Sequence, residues 1–166
     1  MSRYASETRV STESSEAEIK RTLIRYGADQ FYSGWDNDRN LAVLGFRIVG
    51  RMVKMILPLP NRDDREYTHT PSRGTLRSPQ QAAEAWEQAC RQRWRALTLI
   101  VKAKLEAVES GISTIEREFL ADMLLPSGQT LHEWVGPQIE DAYTSRLMPR
   151  SLPMLPAAPE ESEAAR

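Results

Sequence analysis

Apolar and polar residues repeat along this chain with two different periods, and the changes of period mark its elements. Ile19, Leu23 and Tyr26 recur at helical spacing, which predicts a helix over residues 16–26 with one apolar face. Ser15 followed by Glu18 has the form of a capping box. Gly27 is a natural stop, because a helix ends cheaply on a left-handed glycine. The period then drops to two. Gln30–Trp35 is rich in aromatic residues and runs into the polar cluster Asp36–Asn40, the signature of a strand and a turn. Ala42, Leu44, Phe46 and Ile48 alternate along a second strand, Leu41–Ile48, and Val49-Gly50 reads as a hairpin turn. Arg51–Leu57 forms a third strand, which Pro58 and Pro60 terminate. Trp35, at the end of its strand, is expected to be exposed.

Residues 58–77 show little periodicity and read as one long loop, a length often reserved for function. The helical period returns at Ser78-Pro79-Gln80-Gln81, with a serine cap, proline in the first position and glutamine three residues after the cap. Trp86, Cys90, Trp94, Leu97, Val101, Leu105 and Val108 then form a stripe as far as Ser110, where Gly111 stops it. Leu99 and Ile100 fall off this stripe, so the middle of the helix is expected to face a second neighbour. Ser113 with Glu116 opens a short helix to about Asp122. Thr130 with Glu133 opens a last helix that carries Leu131, Trp134, Ile139 and Tyr143, with Pro137 as a potential kink. The order of a helix, a three-stranded antiparallel meander, a long helix and two shorter C-terminal helices predicts an α+β fold, with the sheet packed on the long helix. Residues 1–14 read as a flexible N-terminus and 15–148 as a single domain. Residues 149–166, rich in Pro, Ala and Glu, read as a disordered tail.

Composition adds bounds. The 166 residues are 40% hydrophobic and 27% charged, as expected of a soluble globular chain. A single cysteine excludes an internal disulfide framework and a multi-cysteine zinc finger. Flanked by Trp86 and Trp94 on the apolar stripe, Cys90 reads as a small buried hydrophobe. The longest apolar runs, such as Leu97–Val101, fall far short of the roughly 20 residues that span a bilayer. The first residues lack the apolar core of a signal peptide, so a cytoplasmic protein is expected.

The net charge of −1 argues against a nucleic-acid partner until it is divided by segment. Residues 39–104 carry 13 positive and 5 negative groups, a net of +8, while 1–38 carry −2 and 105–166 carry −7. Ten of the 13 are arginine, whose planar fork suits phosphate. Arg47, Arg51 and Lys54 lie in the hairpin, Arg62, Arg65, Arg73 and Arg77 in the loop, and Arg91, Arg93 and Arg95 on the long helix. Together with Trp35 they are the candidate contacts to DNA or RNA. The same arginine and tryptophan chemistry suits a protein partner. Pairing with the chain's own acids, Glu106, Glu109, Glu116 and Glu118 among them, is the alternative without a partner.

No catalytic residue is assigned. Asp63, Asp64, Glu66 and His69 suit a hard cation, but Arg62 and Arg65 beside them repel one. His132 adjoins Glu133, yet Glu133 is explained by the cap on Thr130, and helix neighbours do not face each other. The sequence contains no glycine-rich phosphate loop, nucleophile elbow or zinc-protease helix. The expectation is a non-enzymatic protein without metal or cofactor.

Several stretches nevertheless have a familiar look: Tyr4, Thr8 and Val10 with Ser15, Glu18, Ile19, Leu23 and Tyr26-Gly27-Ala28; Leu57-Pro58-Leu59-Pro60; Thr68-His69-Thr70-Pro71; Trp86 through Leu97; Lys102 through Val108; and Leu125-Pro126 with Gly128 and Thr130. Over residues 4–148 this pattern resembles a family of small, uncharacterised proteins encoded by phages and prophages. The resemblance implies a mobile-element origin and a bacterial cytoplasm, and assigns no activity. It raises two roles: an accessory of DNA replication or recombination, and an inhibitor of a host protein or defence system.

Overall fold

The computed structural model describes residues 9–147. Their elements run helix α1 (Thr12–Arg25), strands β1 (Gln30–Asp36), β2 (Leu41–Ile48) and β3 (Arg51–Pro58), a one-turn helix α2 (Arg65–Thr68), the long helix α3 (Pro79–Glu109), then α4 (Ile115–Phe119) and α5 (Leu131–Ser145). This is the expected α+β order. The expected tail, 149–166, lies outside the described residues, as do residues 1–8 of the expected N-terminal segment.

The sheet is an antiparallel meander in the order β1-β2-β3. Val49 and Gly50 both have positive φ, 49° and 70°, which lets a two-residue turn follow the right-handed twist of the strands. Alternation buries Ala42, Leu44, Phe46 and Ile48 on one face, joined from β3 by Val53, Met55 and Leu57. Against that face pack Ile19 and Leu23 of α1, Trp94, Leu97, Val101 and Leu105 of α3, and Ile115 and Phe119 of α4. Lys54 and Arg47 lie on the other face, across from Gly45 and Met52.

Helix α1 starts earlier than its sequence predicts. Ser11 caps it by accepting from the Ser14 amide at 3.1 Å, so residues 12–14 of the expected flexible segment are helical. The box of Ser15 with Glu18 does not form. Ser15 precedes Ile19 by one helical turn and is buried with it, so its hydroxyl faces the core rather than the helix entry. Ser11→Ala is expected to cost about 1 kcal/mol. Ser15→Ala is expected to cost nothing or to stabilise, because it replaces a buried hydroxyl that lacks a hydrogen-bond partner. Urea unfolding of the two variants measures the difference.

Helix α3 carries the expected capping box between Ser78 and Gln81 and runs unbroken for 31 residues. The expected second neighbour over its middle is absent at Ile100, which stays half exposed. At α4 the cap is Thr114, accepting from the Arg117 amide at 3.3 Å, and the expected Ser113–Glu116 box is not formed. The long loop is partly ordered: α2 lies within it, Tyr67 is buried, and His69 bridges Leu76. Helix α5 has its Thr130–Glu133 box and continues through Pro137, but none of its residues is fully buried. Trp134, expected in the core, is only half-buried.

Candidate functional site: a tryptophan-walled cleft

The ten basic candidates do not converge on one face. Ala42, near Trp35, and Ile48, next to the hairpin turn, are six residues apart on β2, about 20 Å along the strand. Arg47 and Arg51 belong to the hairpin-turn end, Lys54 to the middle of the sheet opposite Gly45, and Arg62 and Arg91 to the other end, and the sheet itself separates Arg47 and Lys54 from α3. Most of the set is also engaged within the chain. Arg47 donates twice to Asp29 at 2.8 Å, and this pair holds the Asp29 carboxyl below its ordinary range. Lys54 lies 3.9 Å from Glu133. Arg77 donates to the Glu66 and Tyr67 carbonyls at 3.2 and 3.0 Å. Arg91 donates to Gln88 and Arg95 to Glu18, each with a bond of 2.7–2.8 Å. Arg62 stacks on the Trp86 ring, 4.3 Å from its centroid. Among the described residues Arg51, Arg62, Arg65, Arg73 and Arg93 of the set have no side-chain ion pair or hydrogen bond, and Arg62 has its ring stack instead. The acids that take up the charge are Asp29, Glu133, Glu87 and Glu18, not the C-terminal acids singled out in the sequence.

At the end of the sheet away from the hairpin turn the fold forms a cleft of about 630 Å³. Three segments build it. The first turns of α1 contribute Ser11, Thr12, Glu13 and Glu16, and the β1–β2 turn contributes Trp35, Asp36, Asn37 and Asn40. Helix α3 contributes Trp86, Cys90 and Trp94, which share one helix face at i, i+4 and i+8, with Glu87 and Arg91 beside them. Ala42 and Leu59 complete the lining. Asn40 at φ 50° turns the chain back into β2, and its carbonyl accepts from the Leu59 amide at 2.7 Å, which ties the turn to the end of β3.

The tryptophans differ in their setting. Trp94 is buried against the core. The Trp86 indole donates to the Pro60 carbonyl at 2.8 Å, which fixes its ring while Arg62 covers it. Trp35 is 76% exposed, as its position at the end of the strand predicts. It stands at the cleft with no ring contact among the described residues.

The charge of the lining is negative. Glu13, Glu16, Asp36 and Glu87 stand among the lining residues against one basic one, Arg91, which lies 3.8 Å from Glu87; at the edge Arg39 lies 3.7 Å from Asp36 and Arg62 stacks on Trp86. Glu16 accepts from Ser33 Oγ at 2.5 Å and Glu13 from Thr12 Oγ1 at 3.0 Å; both donors are neutral. A hydrogen bond from backbone, with those from Ser11 and Thr12, keeps the Glu13 carboxyl below its ordinary range. Cys90 is buried, and burial pushes its thiol up to about 11, against the pull of the nearby Arg62, Arg91 and Arg93 charges. It is therefore a neutral thiol at neutral pH, in keeping with the small hydrophobe expected from the sequence.

The remaining sequence candidates stay apart. Asp63, Asp64 and Glu66 are exposed and His69 turns to Thr68, its Nδ1 lying 2.9 Å from the hydroxyl. Among the described residues no group of three or more His, Cys, Asp or Glu is placed to hold a metal. Glu133 accepts from the Thr130 amide at 2.7 Å, which leaves His132 without it. Also among the described residues, no helix is long and apolar enough to cross a membrane.

The cleft itself was not foreseen. Its only local signal is the Trp-Cys-Trp spacing on α3, which core packing explains equally well, and its acids other than Glu87 lie 50 to 73 residues before Trp86. Compared with known proteins, the chain matches no family model, no curated protein and no solved structure.

Proposed function

We propose that this protein acts by binding a partner protein, without catalysis, and that the cleft between α1, the β1–β2 turn and α3 is its working surface. The exposed Trp35 at the mouth of a preformed cleft carries the reading. Tryptophan is, with tyrosine and arginine, among the residue types that contribute most to protein association, and this one stands beside a cleft and not singly on an open face. The groups lining the cleft suit binding. The thiol is protonated, no histidine lies among the lining residues, and the carboxylates are oriented by fixed donors. An accessory or inhibitor role of this kind fits the mobile-element origin that the sequence resemblance implies.

A second reading, DNA or RNA binding, is favoured by the exposed, unpaired Arg65, Arg73 and Arg93, with Arg62 already stacked on an indole. One comparison separates the two. The full-length chain and its Trp35→Ala variant are applied to an arrayed library of peptides and, by fluorescence anisotropy, to labelled single- and double-stranded oligonucleotides at low and high salt. Peptide binding that Trp35→Ala weakens tenfold or more, at unchanged melting temperature, is the expected result. Oligonucleotide binding that falls steeply with salt and is lost in an Arg65→Ser, Arg73→Ser, Arg93→Ser variant, with no peptide retained, would overturn it in favour of nucleic acid.

A further inference from the structure

The chemistry of the cleft narrows the partner. We infer that it takes the guanidinium of an arginine carried on an otherwise apolar segment of the partner protein; this rests on the cleft being the partner site. Three observations point the same way. The first is charge. Glu13, Glu16 and Asp36 line the cleft, and the donors closest to Glu13 and Glu16 are hydroxyls and backbone, which orient a carboxylate without neutralising it. Among the described residues Asp36 is met by Arg39 alone, through its backbone amide at 3.1 Å and its exposed guanidinium at 3.7 Å, and the lining guanidinium, Arg91, is shared with Glu87 and Gln88. Four acids against one basic residue leave the lining net negative, which favours a cation over a phosphate or carboxylate even with Arg39 and Arg62 at its edge.

The second is the open indole. A cation is held over the face of tryptophan more strongly than over any other ring, and a guanidinium, planar and weakly hydrated, stacks there better than an ammonium. Among the described residues nothing stacks on Trp35, which is 76% exposed. The third is an internal precedent: this chain already places its own Arg62 on Trp86 at 4.3 Å, on the wall of the same cleft. An arginine entering between Trp35 and the carboxylates repeats the contact with a charge-assisted fork added. At about 630 Å³ the cleft is larger than one arginine side chain, and Ala42, Leu59 and Trp94 give the excess an apolar floor. That floor suits apolar neighbours on either side of the arginine.

The test uses the full-length chain and three blocked nine-residue peptides, leucine-rich and identical except for the central residue: arginine, its neutral isostere citrulline, or glutamate. Binding is followed by tryptophan fluorescence and by the indole N–H resonances, with Trp35 assigned through Trp35→Phe. The arginine peptide is expected to shift the Trp35 resonance and to bind at least tenfold more tightly than citrulline, with glutamate weakest. Glu16→Gln combined with Asp36→Asn should erase the preference for arginine while the citrulline peptide still binds. Equal binding of all three peptides at Trp35 would overturn the arginine assignment and leave the partner-site reading standing. An unmoved Trp35 resonance with every peptide would overturn both. Binding at Trp35 by a peptide of residues 1–8, by a second copy of the chain or by an oligonucleotide at least tenfold tighter than that of the arginine peptide would assign the cleft to that occupant instead.

Discussion

Replacing Phe119 by alanine is expected to lower the unfolding free energy by about 3–5 kcal/mol, the range for truncating a fully buried ring. The side chain has no solvent exposure and meets Phe46 edge to face, with centroids 5.4 Å apart and ring planes at 85°. Lys104 lies over the Phe119 ring at 5.0 Å and donates to the Glu118 carbonyl just before it. Helix α4 is only five residues long, too short to be stable alone, so its two buried side chains, Ile115 and Phe119, are what hold it to the core. The chain beyond α4 then reaches the sheet through the Leu124 amide, which donates to the Met52 carbonyl at 2.8 Å. Losing Phe119 therefore creates a cavity beside β2 and also loosens the route to α5. A domain of this size has about 5–15 kcal/mol in total, so the variant should melt far below the parent or be partly unfolded at 37 °C. Phe46→Leu serves as the milder arm, since it keeps an apolar filler and still breaks the edge contact. Urea unfolding of both single variants and the double closes a cycle, with an expected coupling of about 0.5–1.5 kcal/mol. A loss below about 1 kcal/mol for Phe119→Ala would mean that α4 is not part of the core.

Periodicity carried most of this architecture because it reports burial, and burial decides secondary structure here. Ala42, Leu44, Phe46 and Ile48 could be placed on one face from spacing alone, and the bounds of β2 followed, since a one-residue slip would expose all four. The stripe from Cys90 to Leu105 was legible for the same reason. The errors lie where a polar residue has two physical uses. Ser15 fits the cap of α1 by its distance to Glu18, but it also sits one turn before Ile19, and the core took it. The serine four residues earlier, with no matching acid to advertise it, does the capping. Ser113 and Thr114 stand side by side, and either can start α4; the backbone chose the second. A capping box is a local pattern, and local patterns cannot show which face a helix turns inward.

The site was less legible than the fold. The basic residues were visible as a count, yet a count carries no direction. Arg47 and Asp29 are 18 residues apart in sequence and paired in space, and Arg95 finds Glu18 across 77 residues. Trp35 was placed correctly as exposed, but Trp86 and Trp94 read as core, and nothing local joins the three. The cleft exists because α1 begins at Thr12, four residues before the expected start, which brings Glu13 and Glu16 to the indoles. An error of one helical turn in a boundary was enough to hide it.

That same helix supplies the second large effect. Glu18→Ala is expected to cost about 2 kcal/mol, the range for removing the acceptor of charge-assisted bonds in a partly buried setting. Glu18 accepts from Arg95 at 2.8 Å with one oxygen and from Lys102 with the other. Arg95 and Lys102 are seven residues apart, two turns of α3, so one carboxylate bridges two cations and fastens α1 along the long helix. About a quarter of the Glu18 side chain is exposed, so solvent screens the contacts and the effect stays below that of a fully buried pair. Without the carboxylate the two cations face each other across a half-buried seam, so the loss includes their repulsion. The Lys102 hydrogen bond, then the Arg95 charge, hold the Glu18 carboxyl below the ordinary glutamate value of 4.5. Because the folded value is the lower one, the unfolded chain binds the proton more readily, and stability rises with pH across that interval. The contribution is complete above about pH 4.5 and is lost as the pH falls through the lowered value. Urea unfolding of parent and Glu18→Gln should differ by about 1–2 kcal/mol at pH 7, and the gap should narrow once the pH passes below 4. Asp29, Glu13 and Glu133 also titrate in that range with lowered values, but they titrate in both proteins, so the difference isolates Glu18. A gap that stayed constant down to pH 3 would show that the residue acts through packing of its stem alone, and that the bridge between the helices contributes nothing.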